Sequence, residues 1–93
     1  MPVQQTSMIS FYEILSKMGS RQLEVLKAIK VLKICNNLQI SQLLHLPINS
    51  VTPRCKELRV KGIVIYHHTG ACPYTHETTR FFVIKSYISE VMN

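Results

Sequence analysis

Four cations lie close together in the middle of the sequence, at Arg54, Lys56, Arg59 and Lys61. Ammonium and guanidinium groups bind phosphate oxygens, and arginine also pairs bidentately with the edge of guanine. The chain has a net charge of +6, and residues 21–61 account for all of it with eight basic and two acidic side chains. This concentration of charge predicts a polyanion such as nucleic acid as the partner, with a solvated lysine-rich face as the alternative.

A second group of reactive side chains comprises His67, His68, Cys72 and His76. These are zinc-type ligands, but their spacing matches no standard zinc site, and adjacent histidines on a strand point to opposite sides. We therefore predict no metal and expect wing-tip contacts to phosphate or to the minor groove, or simple exposure. Cys72 is also a candidate for an intermolecular disulfide or a redox role, and a Cys72–His76 nucleophile pair on a loop would be held too loosely for catalysis.

The sequence contains no arrangement that is typical of an enzyme. Paired carboxylates, a G-x-S-x-G motif and a phosphate-binding glycine loop are missing, and there are only three glycines. We expect no catalytic activity and no cofactor. Cys35 and Cys55 are predicted to be small core residues.

Hydrophobic periodicity predicts the elements that position these side chains. Apolar residues recur at helical spacing, which predicts helices over 7–18, 20–36, 39–46 and 50–61. Serine caps begin three of these helices, and Gly19 and Gly62 end the first and the last. After Gly62 the period changes to two, which predicts strands over 63–68 and 80–85 joined by a loop over 69–79. Residues 1–6 are expected to fray, and 87–92 to form one or two helical turns.

The ends of the predicted helices rest on particular residues. Ser20 is expected to cap the helix over 20–36. Ser50 is expected to cap the helix over 50–61, leaving free amides at Ser50 and Val51 that suit a phosphate. Pro53 would then be the third residue of that helix, where its missing amide has no intrahelical partner.

Two helices joined by a tight turn at 47–49 and followed by a hairpin describe a winged helix-turn-helix. Residues 20–29 resemble the first core helix of winged-helix regulators. Residues 46–64 resemble the turn and recognition helix of small winged-helix proteins encoded by bacterial viruses, most specifically in Asn49-Ser-Val-Thr-Pro-Arg54, with Glu57-Leu58 and Lys61-Gly62 behind it.

The resemblance extends over about residues 20–85 and includes the wing. Cys72-Pro-Tyr-Thr75 matches the first part of the Cys-Pro-x-Thr-Gly-Arg wing of that group, whereas His76-Glu77 departs from Gly-Arg. Arg80 is the expected substitute for the missing wing arginine. The implied fold is α+β, mainly α: one domain over 1–93 with a three-helix core, a C-terminal β-hairpin wing and an extra N-terminal helix.

The implied function is double-stranded DNA binding. A helix with side chains is about as wide as the major groove, about 12 Å. We expect helix 50–61 in that groove and the wing over 67–80 along the backbone. The candidate DNA-binding residues are Ser50, Thr52, Pro53, Arg54, Lys56, Arg59, Lys61, His68 and Arg80. For Arg54 the alternative is an ion pair with Glu57.

Several biological roles fit this interpretation. The first is a viral transcriptional regulator, acting as a homodimer through the apolar residues of 7–18, of 87–92, or of both. The second is a protein-interaction module that binds a host polymerase or replication protein. The third is a DNA-binding replication or genome-maintenance protein.

Composition limits the compartment. The longest apolar runs are four residues, whereas a membrane-spanning helix needs about 20. No secretory signal is recognisable, and three cysteines without a C-x-x-C pair indicate a reducing environment. We therefore expect a cytoplasmic protein without a membrane contact.

Overall fold

The computed structural model describes residues 16–85. Three helices, α1 (Ser20–Leu32), α2 (Asn37–Leu44) and α3 (Ile48–Val60), are followed by an antiparallel hairpin of β1 (Val64–Ala71) and β2 (Thr78–Ile84). The mainly helical α+β class predicted from the sequence is confirmed. The helix expected over 7–18 lies largely outside the described residues, and the segment expected over 87–92 lies wholly outside them.

One apolar core holds the three helices against the base of the hairpin. Helix α3 contributes Val51, Cys55 and Leu58 to this core, which is the side of its surface that helical spacing predicts. The apolar residues exposed by 2% or less are Val25, Leu26, Ile29, Cys35, Ile40, Val51, Cys55, Leu58, Ile63 and Val64.

Helix α1 is shorter than the 20–36 span predicted from the sequence. It ends at Leu32 because Lys33 has a positive φ of 71°, and the Lys33 amide donates to the carbonyl of Ile29 at 2.7 Å. Cys35 then forms an isolated antiparallel bridge with Phe82, with N–O distances of 3.1 and 2.8 Å. Cys35 is buried as expected, but it packs from an extended segment beside β2. Ser20 does not cap α1, because it is the first helical residue and Gly19 holds the cap position.

Helix α2 begins two residues before the predicted span of 39–46 because Asn36 caps it. Asn36 Oδ1 accepts from the backbone amide of Gln39 at 2.8 Å, and Gln39 Oε1 accepts from the Asn36 amide at 2.9 Å. This reciprocal pair is a capping box. The helix ends at Leu44, and His45 adopts a left-handed conformation with φ 55°.

Helix α3 also begins two residues earlier than predicted and ends at Val60. Pro47 holds the cap position, so Ser50 is the third helical residue and its amide donates to the carbonyl of Pro47 at 2.9 Å. Pro53 therefore lies in the helix interior and not in the first turn. Its ring leaves the carbonyl of Asn49 without a helical donor. The prediction of a Ser50 cap with a free amide was wrong.

The hairpin is longer than the two predicted strands and contains a β-bulge. Tyr66 pairs with Phe82 and His68 pairs with Phe81, so one extra residue lies in β1 at His67. Only residues 72–77 remain outside the strands, instead of the predicted loop over 69–79. The bulge also contradicts the expected divergence of the two histidines, since His67 Nδ1 and His68 Nδ1 lie 2.7 Å apart.

Within residues 16–85, no helix combines the length and the apolar character that crossing a bilayer requires.

Candidate nucleic-acid interface

Helix α3 presents an exposed outer face on the side opposite the core. It consists of Asn49, Thr52, Pro53, Lys56 and Val60, all exposed, with Val60 at 79%. Lys56 takes part in no ion pair among the described residues. Thr52, Pro53 and Lys56 are predicted site residues, and Asn49 and Val60 are not. Asn49 belongs to this face because α3 begins earlier than predicted, and Val60 because the core contacts of α3 leave it on the outer side. These five side chains are open to solvent.

One flank of α3 is occupied by a polar network with α1. Glu57 accepts from Gln22 Nε2 at 2.6 Å and from Arg54 Nη2 at 2.8 Å, and Lys61 Nζ donates to Gln22 Oε1 at 3.1 Å. The hydrogen bond from Gln22 lowers the pKa of the Glu57 carboxyl, and the pairing with Arg54 and the charge of Lys61 act in the same direction. The ion-pair alternative for Arg54 is therefore the arrangement in the structure. Arg54 and Lys61 are predicted site residues that lie beside the outer face, not on it.

The other flank of α3 meets the hairpin through Arg59. The guanidinium carbon of Arg59 lies 4.4 Å from the centre of the Phe82 ring, within cation–π distance. Arg59 Nη1 has no hydrogen-bond partner among the described residues. Together with Tyr66, Thr69 and Arg80, these two residues line an open cleft of about 470 Å³. The fold thus brings two predicted site residues, Arg59 and Arg80, to one place.

His68 lies on the opposite side of the hairpin from that cleft. Its ring stacks on Phe81 with the centroids 4.6 Å apart and the planes at 3°. Phe81 and Arg80 are neighbours in β2 and point to opposite faces. The structure therefore separates His68 from Arg80, although both are predicted site residues. In the described part of the chain, no three His, Cys, Asp or Glu side chains come close enough to share a metal ion.

Cys72 is buried in the hairpin turn, exposed by only 3%. The backbone amide of Thr75 lowers the pKa of the Cys72 thiol to about 7, against the effect of burial, and the amide of Tyr74 assists. Burial raises the pKa of Cys35 to about 12 and that of Cys55 to about 11. All three thiols are free, and the burial of Cys72 argues against its predicted intermolecular disulfide.

Besides Asn49 and Val60, sequence reasoning missed Gln22, Asn36, Tyr66, Thr69 and Phe82. Asn36 carried a usable signal, because an asparagine followed three residues later by glutamine is a variant of the capping-box pattern. Tyr66 and Thr69 carried none. They are three residues apart, which on a regular strand would place them on opposite faces.

Comparison with known protein families, with curated proteins and with solved structures finds no match for this chain.

Proposed function

We propose that this protein binds double-stranded DNA as a winged-helix domain, with α3 in the major groove and the hairpin along the backbone. The order of the elements supports this proposal: α1, the bridging residue Cys35, α2, α3 and then the hairpin. Cys35 pairs with Phe82 and thereby adds a third extended segment beside β2. Helix α3 is joined to α2 by the short turn that helix-turn-helix units use.

The observation that carries the proposal is the outer face of α3. Its exposed side chains match the chemistry of a major groove: the Asn49 amide suits adenine, Thr52 and Pro53 suit a thymine methyl, and Lys56 suits guanine or a phosphate. A basic side chain lies beside this face on each flank, at Arg54 and at Arg59. In this proposal the outer face contacts base edges, and Arg54 and Arg59 contact the backbone.

Fluorescence anisotropy with a random-sequence duplex tests the proposal. Each phosphate contact lowers the affinity about 3.5-fold between about 50 and about 200 mM salt, from a slope of about 0.9 per contact. We expect measurable binding at the lower salt, and a smaller slope in Lys56→Gln. Lys27→Gln, which removes the same charge from an exposed position on α1, is the control and should keep the slope. Failure to bind at the lower salt refutes the proposal.

We further propose that the DNA binder is a transcriptional regulator of a bacterial virus and acts as a homodimer. This proposal rests on the resemblance of residues 20–29 to winged-helix regulators and of residues 46–64 to winged-helix proteins of bacterial viruses. Two copies would read half-sites about one helical turn apart. Sedimentation equilibrium on the full chain tests the dimer, and a single species with the monomer mass of 10.7 kDa contradicts it. DNA-binding replication proteins would use the same interface.

The second candidate function is a protein-interaction module. It is favoured by the exposure of Val31 and Ile34, at 70% and 42%, around the end of α1. A host polymerase or replication protein is the proposed partner. If the anisotropy experiment gives no binding, affinity capture with a Val31→Lys variant as the control tests this candidate, since the charged side chain should abolish an apolar contact.

A further inference from the structure

The cleft between α3 and the hairpin is a separate feature from the outer face of α3. Its lining consists of Arg59 from α3, Tyr66 and Thr69 from β1, and Arg80 and Phe82 from β2. Its volume of about 470 Å³ is in the range of pockets that hold small organic molecules.

The charge of the cleft is uncompensated. Two guanidinium groups line it, no carboxylate does, and neither Arg59 nor Arg80 forms an ion pair within residues 16–85. Arg59 is held in place by the Phe82 ring, and its Nη1 is a buried donor without an acceptor in the described part of the chain. A positioned arginine with an unused donor is suited to an oxyanion.

Hydroxyl groups complete the lining. Tyr66 Oη and Thr69 Oγ1 are 2.7 Å apart, so one hydroxyl donates to the other. The proton of the second hydroxyl remains available for a ligand. The cleft therefore offers guanidinium donors from two elements and a hydroxyl donor from a third.

The bulge at His67 makes this arrangement possible. Because β1 has one extra residue between Tyr66 and His68, Tyr66 and Thr69 lie on the same face of the hairpin as Phe82 and Arg80, their respective partners in β2. Without the bulge, Thr69 would be on the other face.

We propose that this cleft binds a phosphate ester, with the phosphate between Arg59 and Arg80 and the attached sugar against Tyr66. The ester comes either from the DNA backbone beside α3, in which case the inference rests on the proposed function, or from a free sugar phosphate. Both sources present the same tetrahedral oxyanion on a sugar carbon.

Two measurements on the full chain distinguish the sources. The first is an amide ¹H–¹⁵N NMR titration with ribose 5-phosphate, with ribose as the uncharged control. We expect ribose 5-phosphate, but not ribose, to shift the amide signals of Thr69 and Arg80, and we expect Arg80→Gln to abolish the shifts. Thr69→Val, which keeps the charge, should weaken them.

The second measurement is the salt dependence of duplex binding by Arg80→Gln. Loss of one backbone contact should reduce the slope by about 0.9 and the affinity about eightfold at about 0.1 M salt, whereas Lys27→Gln should keep the slope. A reduced slope in Arg80→Gln without NMR shifts assigns the cleft to the DNA backbone. NMR shifts with an unchanged slope assign it to a free sugar phosphate. An unchanged slope together with no shifts overturns the inference. If the wild-type chain does not bind DNA, the proposed function fails and the titration alone decides the inference.

Discussion

Substitution of Asn36 tests how α2, the first helix of the helix-turn-helix unit, is held. Its side chain is exposed by only 1%, and the Oδ1 atom accepts from the Gln39 amide at 2.8 Å. The Nδ2 atom has no hydrogen-bond partner among the described residues that meets the usual distance and angle limits. The Asn36 side chain also lowers the pKa of the Cys72 thiol, but by less than the Thr75 and Tyr74 groups do. The stabilising part of Asn36 should therefore be its acceptor oxygen.

The expected magnitude follows from these contacts. Asn36→Ala removes the cap, which costs about 1 kcal/mol with a range of about 0.5–2. The upper half of that range applies, because a buried acceptor is lost and the Gln39 amide is left unpaired. Asn36→Ser retains an acceptor oxygen and should cost about 0.5 kcal/mol or less. In a domain of this size the alanine variant should melt about 4–8 °C lower for each kcal/mol.

Urea denaturation followed by circular dichroism measures these differences. Asn37→Ala is the matched control, since Asn37 is the next residue and its buried Oδ1 has no partner within residues 16–85. The free energy of unfolding of that variant should change by less than about 0.5 kcal/mol. Equal losses in the serine and alanine variants would refute the capping argument, as would an alanine variant as stable as wild type.

Three further predictions follow from the site and the core. In the folded chain the pKa of the Cys72 thiol is about 7 instead of the ordinary 9.0, so the unfolded chain binds more protons between these two pH values. The free energy of unfolding of wild type, relative to that of Cys72→Ala, should therefore grow as the pH rises from 7 to 9. Urea titrations at both pH values check this, and a constant difference between the two proteins contradicts it. Glu57→Gln removes a negative charge and releases Arg54, so duplex affinity measured by anisotropy should rise, and most at low salt. A fall in affinity would refute the inference that Glu57 holds Arg54 away from the duplex. Leu58→Ala should lower the free energy of unfolding by about 2–5 kcal/mol, whereas the exposed control Val60→Ala should change it by less than about 0.5 kcal/mol; similar losses would mean that α3 packs differently.

Local pattern in the sequence was sufficient to predict the helices and the hairpin. Val51, Cys55 and Leu58 repeat at helical spacing and face the core, and the change of period after Gly62 marks the first strand. The concentration of positive charge on residues 21–61 is likewise a property of the sequence alone. These features are local, because helical and strand periodicities depend only on neighbours along the chain.

Contacts between distant residues decided where the elements end and what the site contains. Cys35 fits the periodicity of α1 but pairs with Phe82, 47 residues later, and the chain leaves the helix at Lys33 to make that bridge. The pairing register of the hairpin inserts the bulge at His67, and the bulge places Thr69 beside Arg80. Helical spacing cannot indicate which cation of α3 meets an aromatic ring of the hairpin. The sequence alone therefore determined the helices, the hairpin and the basic character of α3, whereas only the tertiary structure brought Gln22 to Glu57 and Arg59 to Arg80, because register and packing depend on partners far apart in the chain.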